Sequence, residues 1–228
     1  MSGQLRRQFD RLYQEELARR DAQIKALQAH INPHFLNNTL EIINWQARMS
    51  GDVKASKMIE ALSTVLDAAL DRKGSPQVRL AEEMTYVNAY LYIVKERYGR
   101  RLTVDVELPP ELMDCLVPRL ILQPVIENAV EHGIGPSGQG QVSLRGFLEG
   151  ERLILEIENN GGLSPQDEEH IARLLSPDYD MQNEPSGNIG IANVNQRLRM
   201  LCGPDCGLTI TRGKGGAVTA RLTVAVRA

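Results

Sequence analysis

Apolar positions change their spacing several times along this chain, and each change marks an element. From the start they run Leu5, Phe9, Leu12, Leu17, Ile24, Leu27 and Ile31, close to a 3.5-residue repeat with one phase slip after Leu12. Arg6, Arg7, Glu15, Arg19, Asp21 and Lys25 fill the gaps, so residues 1–30 are expected to be a coiled-coil helix. Pro33 interrupts this pattern. Inside a helix it removes an N–H and crowds the carbonyl four residues back, that of Ala29; the alternative is that it opens a new helix and His34 is an ordinary first-turn residue. Beyond it Leu36, Leu40, Ile43 and Ala47 keep helical spacing, Gly51-Asp52 breaks it, and Ile59, Leu62, Leu66 and Leu70 restore it. Residues 31–73 therefore read as a helical hairpin. A hairpin of this size buries little apolar surface alone, so two copies are expected to associate as a four-helix bundle, making the protein a homodimer.

The cluster Lys73-Gly74-Ser75-Pro76 is the candidate boundary, with a second domain over 76–228. Leu80, Met84, Val87, Leu91, Val94 and Tyr98 predict a long helix with Glu82 and Glu83 in its first turn and Gly99 at its end. Leu102 to Leu108 alternates as a strand does, and Pro118 to His132 reads as a helix closed by Gly133. Val142 to Phe147 with Leu153 to Glu158 predicts one hairpin, turning at Glu149-Gly150; Leu208 to Thr211 with Ala217 to Val226 predicts another. This mixture predicts an α+β fold, a two-layer sandwich with helices on one face of a mixed or antiparallel sheet.

Composition narrows the function classes. Hydrophobic content of 42% supports a packed core, while a formal charge of −3 and 4% aromatics give no footprint for nucleic acid. Cys115, Cys202 and Cys206 form no paired framework and lack the second Cys/His pair of a zinc site, so structural thiols in a reducing compartment are expected. No apolar run reaches the roughly 18 residues that span a bilayer, and no signal-peptide core is present. As given, the chain is expected to be cytoplasmic. It opens in mid-helix pattern without a capping signal, which fits the soluble part of a longer membrane sensor.

Four segments carry candidate chemistry. In Leu122-Gln123-Pro124-Val125-Ile126-Glu127-Asn128-Ala129-Val130-Glu131-His132-Gly133 the apolar residues take one side and leave Asn128 and His132 together on another. An Asn carbonyl beside phosphates suits Mg²⁺, which takes one or two protein oxygens and fills its octahedron with phosphate and water; a polar face with a His at the negative end of the helix dipole explains the same residues. Glu158-Asn159-Asn160-Gly161-Gly162 follows a strand, and its glycines would admit a flat ligand close to the backbone or form a plain turn. The irregular stretch to Ser186 reads as a lid over about 162–187, with a short helix near Asp167 to Leu175. Gly187-Asn188-Ile189-Gly190 opens a helix with the stripe Ile191, Val194, Leu198, Leu201 and with Asn193 and Arg197 on its polar face. Such a start offers N–H groups to a phosphate, and hinges of mobile loops look alike.

Together with His34 in Asn32-Pro33-His34-Phe35-Leu36-Asn37-Asn38, these segments resemble the LytS/YesM-type sensor histidine kinases, from about Gln28 to the C-terminus. The catalytic domain of that branch is a Bergerat-fold ATPase, like those of gyrase and Hsp90. The resemblance implies that His34 is the phosphoacceptor, that Asn128 binds Mg²⁺ in an N box closed by His132-Gly133, and that Gly187, Gly190, Asn193 and Arg197 belong to the glycine-rich box at the lid hinge. Asn159 and Gly161 occupy the motif that meets adenine. ATP and Mg²⁺ are the implied cofactors, and a response-regulator receiver domain, phosphorylated on aspartate, the implied partner. Two departures stand out: Asn159 replaces the usual Asp, with Leu163 at that motif's second glycine, and Glu131 replaces a frequent lysine. Both weaken the expected ATP affinity, because an Asn carbonyl accepts without the charge of a carboxylate. Phe35 follows His34 where many histidine kinases carry an acidic base, so the residues name no proton acceptor. The competing readings are a dimeric signalling scaffold with a decayed nucleotide pocket and an ATPase that never phosphorylates itself.

Overall fold

The computed structural model describes residues 33–70, 75–134, 138–176, 179, 189–213 and 216–226. The expected coiled coil over 1–30, Gly187 and most of the lid's second half lie outside the described residues. The chain divides into two compact units, Met1–Ser63 and Thr64–Ala228.

In the first unit α1 (Pro33–Met49) turns through Gly51, at φ +76°, into α2 (Val53–Leu70), which runs on across the boundary. A positive φ at the turn is cheap only for glycine, and Asp52 caps α2 by accepting from the Ala55 N–H at 2.9 Å. The hairpin is held by a polar clasp. Ser56 Oγ, in a buried residue, donates to Asn44 Oδ1 at 2.6 Å and accepts from Arg48 Nε at 3.3 Å, and Arg48 pairs with Glu60. The Arg48 guanidinium holds the exposed Glu60 carboxyl below its ordinary value. Outward from α1 stand Phe35, Ile42, Trp45 and Met49, all more than 60% exposed and spaced by seven, three and four residues. That stripe lies beside the Leu36, Leu40, Ile43 and Ala47 pattern that predicted the helix, of which Ile43 is also exposed.

The second unit opens with β1 (Gln77–Arg79) and α3 (Leu80–Tyr98), continues through β2 (Leu102–Glu107), β3 (Leu116–Pro118) and α4 (Leu122–Gly133), and forms the hairpin β4 (Gly140–Glu149) and β5 (Arg152–Asn159). Then come α5 (Pro165–Leu174), α6 (Ile189–Cys202), β6 (Gly207–Arg212) and β7 (Val218–Ala225). One sheet has the order β2-β4-β5-β7-β6; β2 runs parallel to β4 and the other pairs are antiparallel. β1 and β3 form a separate antiparallel ribbon. In β7, Val218, Ala220, Leu222 and Val224 are buried and alternate with half-buried neighbours, so the sheet offers one face to the core. Helices cover that face, and Leu80, Leu122, Ile126, Leu144, Leu155, Leu198 and Leu222 are fully buried between the layers, each contributing about 1.5–3 kcal/mol. This is the expected α+β sandwich.

The helix predicted from Pro118 starts later. Pro118 ends β3, and Leu120 takes φ +57°, so the helix proper begins at Leu122. Leucine pays for a left-handed backbone unless neighbours impose it. Here they do. Glu83, 1% exposed, accepts the N–H groups of Leu120, Ile121 and Leu122 at 2.6, 3.1 and 3.2 Å. Arg119 N–H donates to Pro76 O at 3.0 Å, and the Arg197 guanidinium donates to the carbonyls of Arg119 and Leu120.

Candidate nucleotide cleft

The sequence motifs converge at the C-terminal end of α4. On that helix Asn128 and His132 turn toward a cleft whose other walls come from Asn159 at the end of β5, the Gly162-Leu163 loop, and Asp167 and His170 of α5. Ile191, at the start of α6, closes the apolar side. Helical spacing separates charges on α4: Glu127 and Glu131 face α3, where burial and their two charges push the Tyr90 hydroxyl up to about 12. Glu131 therefore does not line the cleft, which removes part of the expected penalty for a triphosphate.

Glycines set the geometry. A Cβ on Gly161 would lie 2.3 Å from His132 O, and one on Gly133 would lie 3.2 Å from Asn159 Cβ. The missing Cβ of Gly161 thus makes room for the end of α4. This close approach seats the loop so that Asn159, 5% exposed, accepts the Gly161 N–H through Oδ1 at 2.8 Å. Asn159 Nδ2 and the Asn128 amide have no hydrogen-bond partner among the described residues, and both residues line the cleft. Such half-used amides await a ligand or water.

α5 forms the remaining wall. Ser164 and Asp167 make a capping box, with Ser164 Oγ accepting from the Asp167 N–H at 3.1 Å and the Asp167 carboxylate accepting from Ser164 N–H at 3.0 Å. The Ser164 bonds, with His132 nearby, hold the Asp167 carboxyl below its usual range. Arg212 of β6 ties α5 down by donating to Glu168 at 3.0 Å and to Leu163 O at 2.6 Å. Asn195 of α6, buried, donates to Leu175 O and accepts from Leu208 N–H, both at 3.0 Å. The cleft holds about 130 Å³, below the roughly 300–1,000 Å³ of most small-molecule sites; it admits a ring, while a triphosphate must extend beyond it or displace α5.

Of the predicted residues, Asn128, His132 and Asn159 meet at the cleft. Gly161 shapes its floor. Gly190 is exposed in the first turn of α6, one residue before cleft-lining Ile191, and Asn193 is half-buried on the same helix. Arg197 grips the opposite end of α4 instead of the cleft. His34 is exposed on α1, with Asn38 Nδ2 3.2 Å from its Nδ1.

Two family models match this chain: the histidine kinase family over residues 22–102, and the "Histidine kinase-, DNA gyrase B-, and HSP90-like ATPase" family over residues 114–226. The chain belongs to the sensor histidine kinases. It is 37% identical to the sensor histidine kinase BtsS of Escherichia coli K12 over 92% of its own length and 33% of the relative's. With the sensor histidine kinase YesM of Bacillus subtilis it shares 31% identity over 86% of this chain and 32% of that one, and with the sensor protein LytS of Oceanobacillus iheyensis 31% over 87% and 34%. The chain thus spans about a third of the length of these relatives. The expected family and fold both stand.

Glu83, Asn195 and Arg212 do positioning work that the sequence did not signal, and Arg197, expected at the glycine-rich box, does such work at the other end of α4. For Glu83 a trace existed: a carboxylate on the apolar side of α3, between Leu80 and Val87, has to find partners when buried.

Proposed function

We propose that this chain is the cytoplasmic signalling portion of a two-component sensor kinase, which moves the γ-phosphoryl group of ATP to His34 and from there to an aspartate of a response-regulator receiver domain. The convergence of Asn128, His132 and Asn159 on one cleft, where the Asn128 amide and Asn159 Nδ2 have no partner among the described residues, carries the reading. The matched ATPase family implies ATP binding.

In this reading the base enters beside Asn159 and Leu163, and the phosphates run past Asn128 toward the start of α6. There Gly190 leaves the helix N-terminus open to an anion. The Asn128 amide oxygen is a hard donor suited to Mg²⁺, and a single protein oxygen is enough where phosphate and water complete the octahedron. When bound, Mg²⁺ neutralises charge on the transferring phosphoryl group. In the transfer a lone pair of the neutral imidazole forms a P–N bond as the bond to the β-phosphate oxygen breaks, ADP leaves, and the imidazole proton passes to solvent. Asn38 holds the ring through Nδ2, which donates to Nδ1 at 3.2 Å; rotation of the Asn38 amide, so that its Oδ1 accepts from an Nδ1–H, is what places the nucleophilic lone pair on Nε2. In the second step the P–N bond breaks and a carboxylate oxygen of the receiver takes the phosphoryl group.

Two copies of the hairpin are proposed to pair through α1, burying the exposed stripe Phe35, Ile42, Trp45 and Met49 in a four-helix bundle. Attachment to a membrane sensor segment outside this chain belongs to the same proposal; among the described residues no helix is long and apolar enough to cross a membrane.

Incubation with Mg²⁺ and γ-labelled ATP tests the activity. Acid-labile, alkali-stable label is expected on the wild type, none on His34→Ala, and at least a tenfold lower rate on Asn128→Ala. Nucleotide binding without label would favour the ATPase reading, and neither binding nor label would favour the scaffold.

A further inference from the structure

The polarity of Asn159 bears on which base this cleft holds. The residue is 95% buried by its 5% exposure, and its carboxamide orientation is fixed by the Gly161 N–H, which needs an acceptor and finds Oδ1 at 2.8 Å. The other arm, Nδ2, has no partner among the described residues, while the residue lines the cleft. A carboxylate held by the same backbone N–H would offer the cleft a second acceptor. The amide offers a donor.

We propose that Asn159 reads the purine as a hydrogen-bond donor, so that nucleotides with a 6-oxo group, the guanine and hypoxanthine classes, bind this cleft at least as tightly as adenine nucleotides. Adenine carries an amino donor at ring position 6, whereas a 6-oxopurine carries an acceptor there. Donor facing donor in a buried site leaves both groups unpaired, and sites built this way discriminate by large factors because unpaired buried groups are costly. Of the other polar groups lining the cleft, Asp167 has its Oδ2 engaged by Ser164 N–H and Oγ–H, while Ile171, Leu174, Ile191 and Val218 give apolar walls that accept any purine ring. The inference rests on the reading of this cleft as a nucleotide site.

The test is equilibrium titration of the full chain with Mg·ADP and Mg·IDP, which differ in the ring-6 group and the N1 proton and do not phosphorylate the protein. For the wild type the ratio of Kd(IDP) to Kd(ADP) is expected at or below about 1, and Asn159→Asp, which restores an acceptor, is expected to raise it at least about tenfold, the scale of one mispaired buried group. A wild-type preference for ADP of tenfold or more would mean that the amide meets adenine at N1 and would overturn the inference. So would an Asn159→Asp ratio equal to that of the wild type. If neither nucleotide binds, the nucleotide reading falls and this inference with it, whereas tight ADP binding with a wrong ratio removes the inference alone.

Discussion

At the scale of single residues, Glu83, Asn195 and Arg212, which help hold the cleft in place, are not among the side chains its sequence motifs announce. Asn128, His132 and Asn159 were legible only through the family resemblance, because a polar helix face and a plain turn explain the same residues locally. Glu83 was hidden by a local explanation: an acidic residue in a helix first turn suits the dipole, yet its carboxylate bonds a turn 37 to 39 residues later. Burial pushes that carboxyl up, while the three N–H bonds and the Arg197 charge pull it down, with burial the larger. Glu83→Ala would leave two buried N–H groups and the Leu120 N–H without an acceptor. We expect a loss of about 2–4 kcal/mol, read as a lower urea midpoint with unchanged slope; a loss under about 0.5 kcal/mol would show that the turn holds without it. Gly161, expected beside the ligand, is also fitted closely to the end of α4. Gly161→Ala drives a Cβ into the His132 carbonyl, so it should cost about 1–3 kcal/mol and weaken nucleotide binding together.

At the scale of elements, periodicity served best where burial alternates cleanly. Both hairpins of the main sheet fall within a few residues of their predicted limits, because β4 and β7 each bury every second residue. The ribbon of β1 and β3 escaped notice, since three residues carry no period, and the start of α4 was misplaced because Pro118 and the apolar residues after it resemble a helix opening. Its real boundary is set by tertiary bonds from Glu83 and Arg197, which local sequence does not encode. α5 depends on its own cap. Ser164→Ala should cost about 1 kcal/mol locally, seen as faster amide exchange over 165–174 with core strands β4, β5 and β7 unchanged; equal exchange would mean that Arg212 alone secures the helix. Because the Asp167 carboxyl lies below its ordinary 3.8 when folded, its support is present above that value and is lost as pH falls through the depressed one. Amide protection of α5 should therefore weaken toward acid before that of the sheet.

At the scale of the molecule, the first unit joins its two helices through a polar clasp while Phe35, Ile42, Trp45 and Met49 face outward, and the proposed dimer is built on that outward stripe. The proposed dimer rests in the sequence on how little such a hairpin buries; the outward stripe proposed as its seam was not singled out there, because Leu36, Leu40, Ile43 and Ala47 gave the helix a sufficient apolar side. Trp45→Glu should convert the proposed homodimer to a monomer in sedimentation at micromolar concentration, leaving nucleotide binding by the second unit within about twofold, because Trp45 does not line the cleft. A dimer that survives this change would place the interface elsewhere. The account as a whole asks the second unit to supply a phosphoryl group and the first to receive it. The most direct test maps the modified residue by mass spectrometry after incubation with Mg²⁺ and ATP, under alkaline conditions that preserve phosphoramidates. The account predicts a phosphate on the imidazole of His34 in the wild type; phosphate on another residue, or an unmodified chain with nucleotide bound, would contradict it.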